Sequence, residues 1–181
     1  MGGDGVKKHF TLKNNKGTEI QITNYGGIIT SIKVKDKNNN FIDIALGFNK
    51  LDDYLGEHPY FGAVIGERIE NNDKQLKFAG GYDHNFILNK SNNNLKLAGK
   101  IESGKSGIKM DVYTTEPGVQ FYTGNYLDGS IKGKSGNYNK NGGFCLETQH
   151  YPDSPYFSKF PTTVLKKGEI YRSDTVYRFF V

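Results

Sequence analysis

Tryptophan is absent from this chain of 181 residues, and cysteine occurs only once, at Cys145. A lone cysteine closes no internal disulfide, and with no partner thiol a structural zinc cluster is not expected. No histidine stands in a triad pattern with Cys145, so it reads as a small buried hydrophobe rather than a nucleophile. No apolar run approaches the ~18 residues of a membrane-spanning helix, and Met1-Gly2-Gly3-Asp4-Gly5 lacks a signal-peptide core. Val6 stands where N-myristoylation wants Ser or Thr. A cytoplasmic address and no membrane partner are therefore expected. Arginine is scarce as well, limited to Arg68, Arg172 and Arg178. The net charge of +5 thus comes almost wholly from scattered lysines. Phosphate forks and base readout favour clustered arginine, so the charge is read as solubility, with no nucleic-acid partner.

Sustained helical periodicity is missing too, whereas glycine is plentiful at 23 residues and apolar runs are short. The length suits a single domain with one core, and the pattern points to an all-β fold. Strands are expected near 10–12, 19–22, 28–34, 95–101, 108–114, 118–123, 144–149 and 171–180, with a helical turn near 51–55; turn residues also lead into the segments 41–47 and 82–88. Asn14-Asn15-Lys16-Gly17 and Asn24-Tyr25-Gly26-Gly27 supply turn chemistry. The roughly ten-residue spacing of strands and turns is that of a sandwich. From Glu67 to Lys77 the chain changes abruptly to charged and amide residues.

The segment Gly142-Gly143-Phe144-Cys145-Leu146-Glu147-Thr148-Gln149-His150-Tyr151-Pro152-Asp153 organises the candidate site. Two glycines open it and a Pro-Asp turn closes it, so it reads as a strand set in a sheet. Alternation places Cys145, Glu147 and Gln149 on one face and Phe144, Leu146 and Thr148 on the other. Three further groupings stand out: Arg68 after Gly66-Glu67, Asp83-His84-Asn85, and Gln120 within 117–125. Carboxylate, amide and guanidinium together form an inventory for gripping a polyol, in which each hydroxyl needs a donor and an acceptor. Singly, Glu147 also reads as a solvated strand residue and Asp83 as a turn residue. On a strand, Asp83 and His84 point to opposite faces.

With their flanks, these segments resemble the aldose 1-epimerases, or galactose mutarotases. The resemblance runs in order through Asn24-Tyr25-Gly26-Gly27, Leu46-Gly47-Phe48, 60–66, Gly81-Tyr82-Asp83-His84-Asn85-Phe86, 113–128, 143–153, Phe160-Pro161 and Gly168-Glu169. It implies an antiparallel β-sandwich of the mutarotase type that interconverts the α and β anomers of free hexoses such as galactose and glucose, without metal or cofactor. In that family a carboxylate takes the proton of the anomeric hydroxyl and a histidine protonates the ring oxygen. Glu147 matches the base, Asp83 and Gln120 match sugar-hydroxyl ligands, and Arg68 matches the Arg of an Asn-Arg pair whose Asn is replaced by Glu67.

The chain is much shorter than that family's usual length, and the resemblance implies an internal deletion near 67–80. The deleted section carries the family's acid histidine and a second sugar-binding histidine; His9, His58, His84 and His150 lie in neither motif. The expected protein is thus a shortened epimerase with Glu147 as base and no assigned acid. The alternative is a non-catalytic carbohydrate-binding remnant of the same fold. A glycosidase using Asp83 and Glu147 would instead need the two carboxyls ~5 to 9.5 Å apart. A monomer is expected, with unpaired sheet edges as the route to self-association.

Overall fold

The computed structural model describes residues 8–58, 61–62, 64–65, 78, 80–89 and 94–181. Among them the strands are β1 (His9–Lys13), β2 (Glu19–Thr23), β3 (Ile29–Lys35), β4 (Phe41–Asp43), β5 (Val64–Ile65), β6 (Asp83–Ile87) and β7 (Lys96–Glu102). There follow β8 (Lys109–Thr114), β9 (Gly118–Tyr122), β10 (Lys132–Gly133), β11 (Gly136–Asn137), β12 (Phe144–Gln149) and β13 (Thr175–Phe180). The sheets are antiparallel, so the all-β reading of the sequence holds. The stretch expected to carry an internal deletion lies largely outside the described residues.

The described residues of Met1–Tyr82 and Thr123–Cys145 form one compact unit. Its β1-β2-β3-β4 meander follows from local turn chemistry. Asn14 Oδ1 accepts the backbone N–H groups of Lys16 and Thr18, and Gly17 takes φ +88°. Asp36 Oδ1 does the same for Asn38 and Asn40. These are Asx turns of the kind the sequence announces. Along β3, Thr30, Ile32 and Val34 are buried and Lys35 is exposed, but Ser31 on the opposite face is buried too, so the alternation is incomplete. Farther on, Tyr138 clamps Gly47: its hydroxyl accepts the Gly47 N–H at 3.0 Å and donates to the Gly47 carbonyl at 2.7 Å. Phe48, Tyr54, His58, Phe61 and Tyr138 pack edge to face or stacked around this point. The short β10–β11 hairpin that leads to Tyr138 has no counterpart among the expected strands.

Asp83–Tyr122 and Leu146–Val181 form the second unit. β8 is the central strand of β13-β8-β7, and Met110, Val112 and Thr114 on it are buried. In its other sheet β12 neighbours β9, which neighbours β6. β6 ends that sheet among the described residues, and Phe86 and Ile87 on it are exposed. The expected strand at 171–180 begins only at Thr175. Residues 171–174 are held instead by non-ladder bonds: Thr115 N–H donates to the Asp174 carbonyl, and Asp174 N–H donates to Thr115 Oγ1, both at 3.0 Å.

Ahead of β6, Tyr82 is fastened within the first unit. Its N–H donates to Thr123 Oγ1 at 2.8 Å, and its carbonyl accepts from Asn125 Nδ2 at 2.9 Å. Gly81 makes this approach possible, since a Cβ there would stand 1.8 Å from Asn125 Oδ1 and 2.3 Å from Thr123 Oγ1. Its φ of +145° also disfavours any side chain. Replacing Gly81 by Ala is therefore expected to cost more than about 2 kcal/mol. A denaturant-unfolding midpoint unchanged from the parent protein would refute this account of Gly81.

Candidate functional site

Asp83, Asn85 and Gln120 come together because β6 pairs antiparallel with β9 in a register that sets Asn85 opposite Gln120 and Asp83 opposite Tyr122. Side chains on the diagonal of such a pair are within reach of each other. Gln120 Nε2 accordingly donates to Asp83 Oδ1 at 2.7 Å, a short, charge-assisted bond. It orients an exposed carboxylate through one oxygen, leaving acceptor capacity for a ligand's hydroxyl hydrogens. His84 alternates to the other side, and its Nδ1 accepts the Asp83 backbone N–H at 3.1 Å. Gly118 opens β9 beneath Asn85: a Cβ there would stand 2.7 Å from Asn85 Oδ1 and 3.1 Å from Tyr151 Cδ1. Asn85 Nδ2 and Gln120 Oε1, one donor and one acceptor, are buried without hydrogen-bond partners. Each such atom costs roughly 1–3 kcal/mol of desolvation.

On β12, Glu147 is exposed, and Cys145 is buried, as the sequence suggested for it. Thr148 is turned toward β13, where its hydroxyl meets Thr175 Oγ1 at 2.6 Å, so Glu147 alternates to the other side of β12. Val119 is buried on β9, and Gln120 alternates away from it. Arg68 and its neighbour Glu67 lie outside the described residues. Among the described residues no cluster of three or more His, Cys, Asp or Glu could hold a metal ion, and no helix is long and apolar enough to cross a membrane.

One further group was not legible in the sequence. Glu116, in the loop between β8 and β9, is buried at 4% exposure. Its Oε1 accepts a short hydrogen bond from the Tyr171 hydroxyl. Its Oε2 lies 2.8 Å from His150 Nδ1. That distance is within hydrogen-bonding range, and the contact is an ion pair whenever the imidazole carries a proton. Thr114 Oγ1 accepts the Glu116 backbone N–H at 3.0 Å. Burial alone would raise the Glu116 pKa, but hydrogen bonds from Ser173 and Tyr171, with the charge of His150, outweigh it and hold the carboxyl below its usual range. The Tyr171 phenol is raised, first by its hydrogen bond to Glu116 and then by desolvation.

A solved structure, the GalM/aldose epimerase homologue from C. elegans, matches this chain with a TM-score of 0.76 and 15% identity, covering 97% of this chain and 99% of that one. The fold class is therefore that of the mutarotase-like antiparallel β proteins. The aldose 1-epimerase family model matches residues 8–72 and 67–178, and the chain belongs to this family. Galactose mutarotase from Rattus norvegicus is 50% identical over 102 residues, which cover 56% of this chain and 30% of that protein. Aldose 1-epimerase from Escherichia coli (strain K12) is 36% identical over 118 residues, covering 64% and 34% respectively. The chain thus spans about a third of the length of the curated relatives it matches.

The Glu116 carboxylate has a consequence for pH. A carboxyl held below its unfolded value stabilises the fold above the ordinary carboxylate range and loses that contribution as pH falls through its native value. The raised Tyr171 phenol contributes below the ordinary tyrosine range, and its contribution is lost as pH rises through its native value. Stability is expected to be flat between these limits and to fall on both sides. In a Glu116→Gln variant the acid-side fall should be shallower. Urea midpoints measured across the acid limb test this, and parallel acid limbs for the two proteins would contradict it.

Proposed function

We propose that the chain binds free hexoses on the side of β6, β9 and β12 that carries Asp83, Gln120 and Glu147, and that it acts on them as an aldose 1-epimerase. The observation that carries the reading is the Gln120 to Asp83 hydrogen bond at 2.7 Å, with an exposed Glu147 on the strand next to Gln120. In this reading Asp83 and Gln120 engage ring hydroxyls, Arg68 adds a further contact, and Glu147 takes the proton of the anomeric hydroxyl. That hydroxyl is more acidic than an ordinary alcohol, which brings it within range of a carboxylate base. The ring opens, the aldehyde rotates, and closure on its other face gives the other anomer. The family model's two stretches meet at 67–72, where the sequence turns to charged residues. That junction supports a single mutarotase-like domain with an internal deletion near 67–80.

A second reading, sugar binding without turnover, is favoured by where the histidines stand. His58 uses both ring nitrogens, Nε2 toward the Tyr54 carbonyl at 3.1 Å and Nδ1 toward the Phe61 N–H at 3.3 Å. His150 is engaged by Glu116, and His84 Nδ1 by the backbone of Asp83. His9 is exposed on β1. No histidine is thereby assigned to protonate the ring oxygen, and loss of a general acid costs ~100- to 10,000-fold.

Polarimetry of freshly dissolved α-galactose separates the two. Catalysis predicts mutarotation faster than in buffer, with Glu147→Gln lowering the protein-dependent rate at least ~100-fold. Equal rates for parent and variant would remove the catalytic claim. A saturable galactose titration that is lost in Asp83→Asn would then establish the binding reading, and no saturation would refute both.

A further inference from the structure

Glu116 lies two residues before β9, and His150 directly follows β12. One buried carboxylate thus stands at the start of the strand carrying Gln120 and at the end of the strand carrying Glu147. It is fixed from a third segment as well, by the Tyr171 hydroxyl, while Ser173 donates to the same carboxylate. Next to it, Thr148, Thr175 and Thr114 form a chain of hydroxyl contacts of 2.6 and 3.2 Å, and the Tyr177 hydroxyl donates to the Leu146 carbonyl at 3.0 Å. Each of these ties β12 to β13 or β13 to β8. The Glu116–His150 contact joins the end of β12 to the segment that begins β9.

We propose that Glu116 is a positioning residue: through His150 it sets how β12 lies along β9, and so where Glu147 stands relative to Gln120. The inference rests on the reading of those two residues given above. A buried anion is suited to this. Removing one partner of a buried pair leaves the other uncompensated, so the pair resists being drawn apart. A displacement as small as 1 Å between groups that must touch one ligand is enough to weaken their joint action substantially. His150 shares its side of the strand end with Thr148 rather than Glu147, so its part is to hold the strand, with no contact to the sugar.

The test compares the full chain with its Glu116→Ala and Glu116→Gln variants by amide hydrogen exchange without sugar and by galactose titration. Positioning predicts that Glu116→Ala raises exchange in 118–122 and 146–149 about ten-fold more than in β7 and β8, whose ladder does not use the pair. It also predicts a galactose Kd weakened by about three- to ten-fold, with Glu116→Gln recovering only part of both effects, because the amide fills the same volume and still accepts from Tyr171 but offers His150 no charge. An even rise in exchange across the second unit, with unchanged galactose affinity, would reduce Glu116 to a stabilising residue and overturn the proposal. Should Glu116→Ala fail to fold, His150→Ala removes one leg of the same contact and is judged by the same two readouts. If the parent protein binds no galactose, the sugar reading falls by itself, and the exchange pattern still decides whether Glu116 fixes the two strands.

Discussion

Asn85 stands directly across the ladder from Gln120, and the candidate site depends on that register. The side-chain period of a strand is two, so a slip of one residue would send Asp83 to the far side and bring His84 against Gln120. The register is supported beyond the ladder itself. Leu88 N–H donates to the Pro117 carbonyl at one end, and Gly118 leaves room for the Asn85 amide to lie over β9. The hydrogen bond from Gln120 to Asp83 is thus the outcome of backbone constraints. It would form with no ligand present, which is what preorganised recognition of a polyol requires.

Much of this could be read from the sequence because it is local. Asn14, Asp36 and the glycines announce their turns through their own chemistry, and the alternation of Thr30, Ile32 and Val34 against Lys33 and Lys35 names the buried face of β3. The opposition of Asp83 and His84 follows from alternation alone. Cys145 and Glu147 show the limit of that logic. They share a face of β12, yet the first is buried and the second exposed. Burial changes along this strand as well as across it: Phe144 and Cys145 are buried and pair with Ile65 and Val64, whereas Glu147 lies beyond that pairing. A two-residue period cannot express a change of neighbours partway along a strand.

The Glu116 cluster was illegible for a different reason. In sequence, Glu116 is a charged residue before a Pro-Gly turn, the kind of position that is ordinarily solvated. Its burial is imposed by His150 and Tyr171, 34 and 55 residues further on, and neither announces a partner locally. The same cluster explains why the strand expected from 171 starts four residues late. Tyr171, Ser173 and Asp174 engage Glu116 and Thr115, and that bonding takes the place of a ladder with β8. Long-range side-chain chemistry here decides where a strand begins, overriding a local apolar pattern that would have extended it.

On the proposed reading, binding and turnover would draw on different parts of the site. Gripping hydroxyls needs donors and acceptors held by a sheet, and β6, β9 and β12 carry these on adjacent strands. Ring opening needs more: a proton must reach the ring oxygen as another leaves the anomeric hydroxyl, which places an acid and a base on opposite sides of the sugar. Neighbouring strands supply groups on one side of a sheet, so the base fits this architecture and the acid has to come from an element that reaches over the ligand. The ring nitrogens of His58 and Nδ1 of His84 and His150 serve contacts that fix the backbone or a buried carboxylate. The physical consequence for the proposed reading is an asymmetry: sugar recognition would need only the strands, while turnover at an epimerase's rate would require a proton donor from outside them.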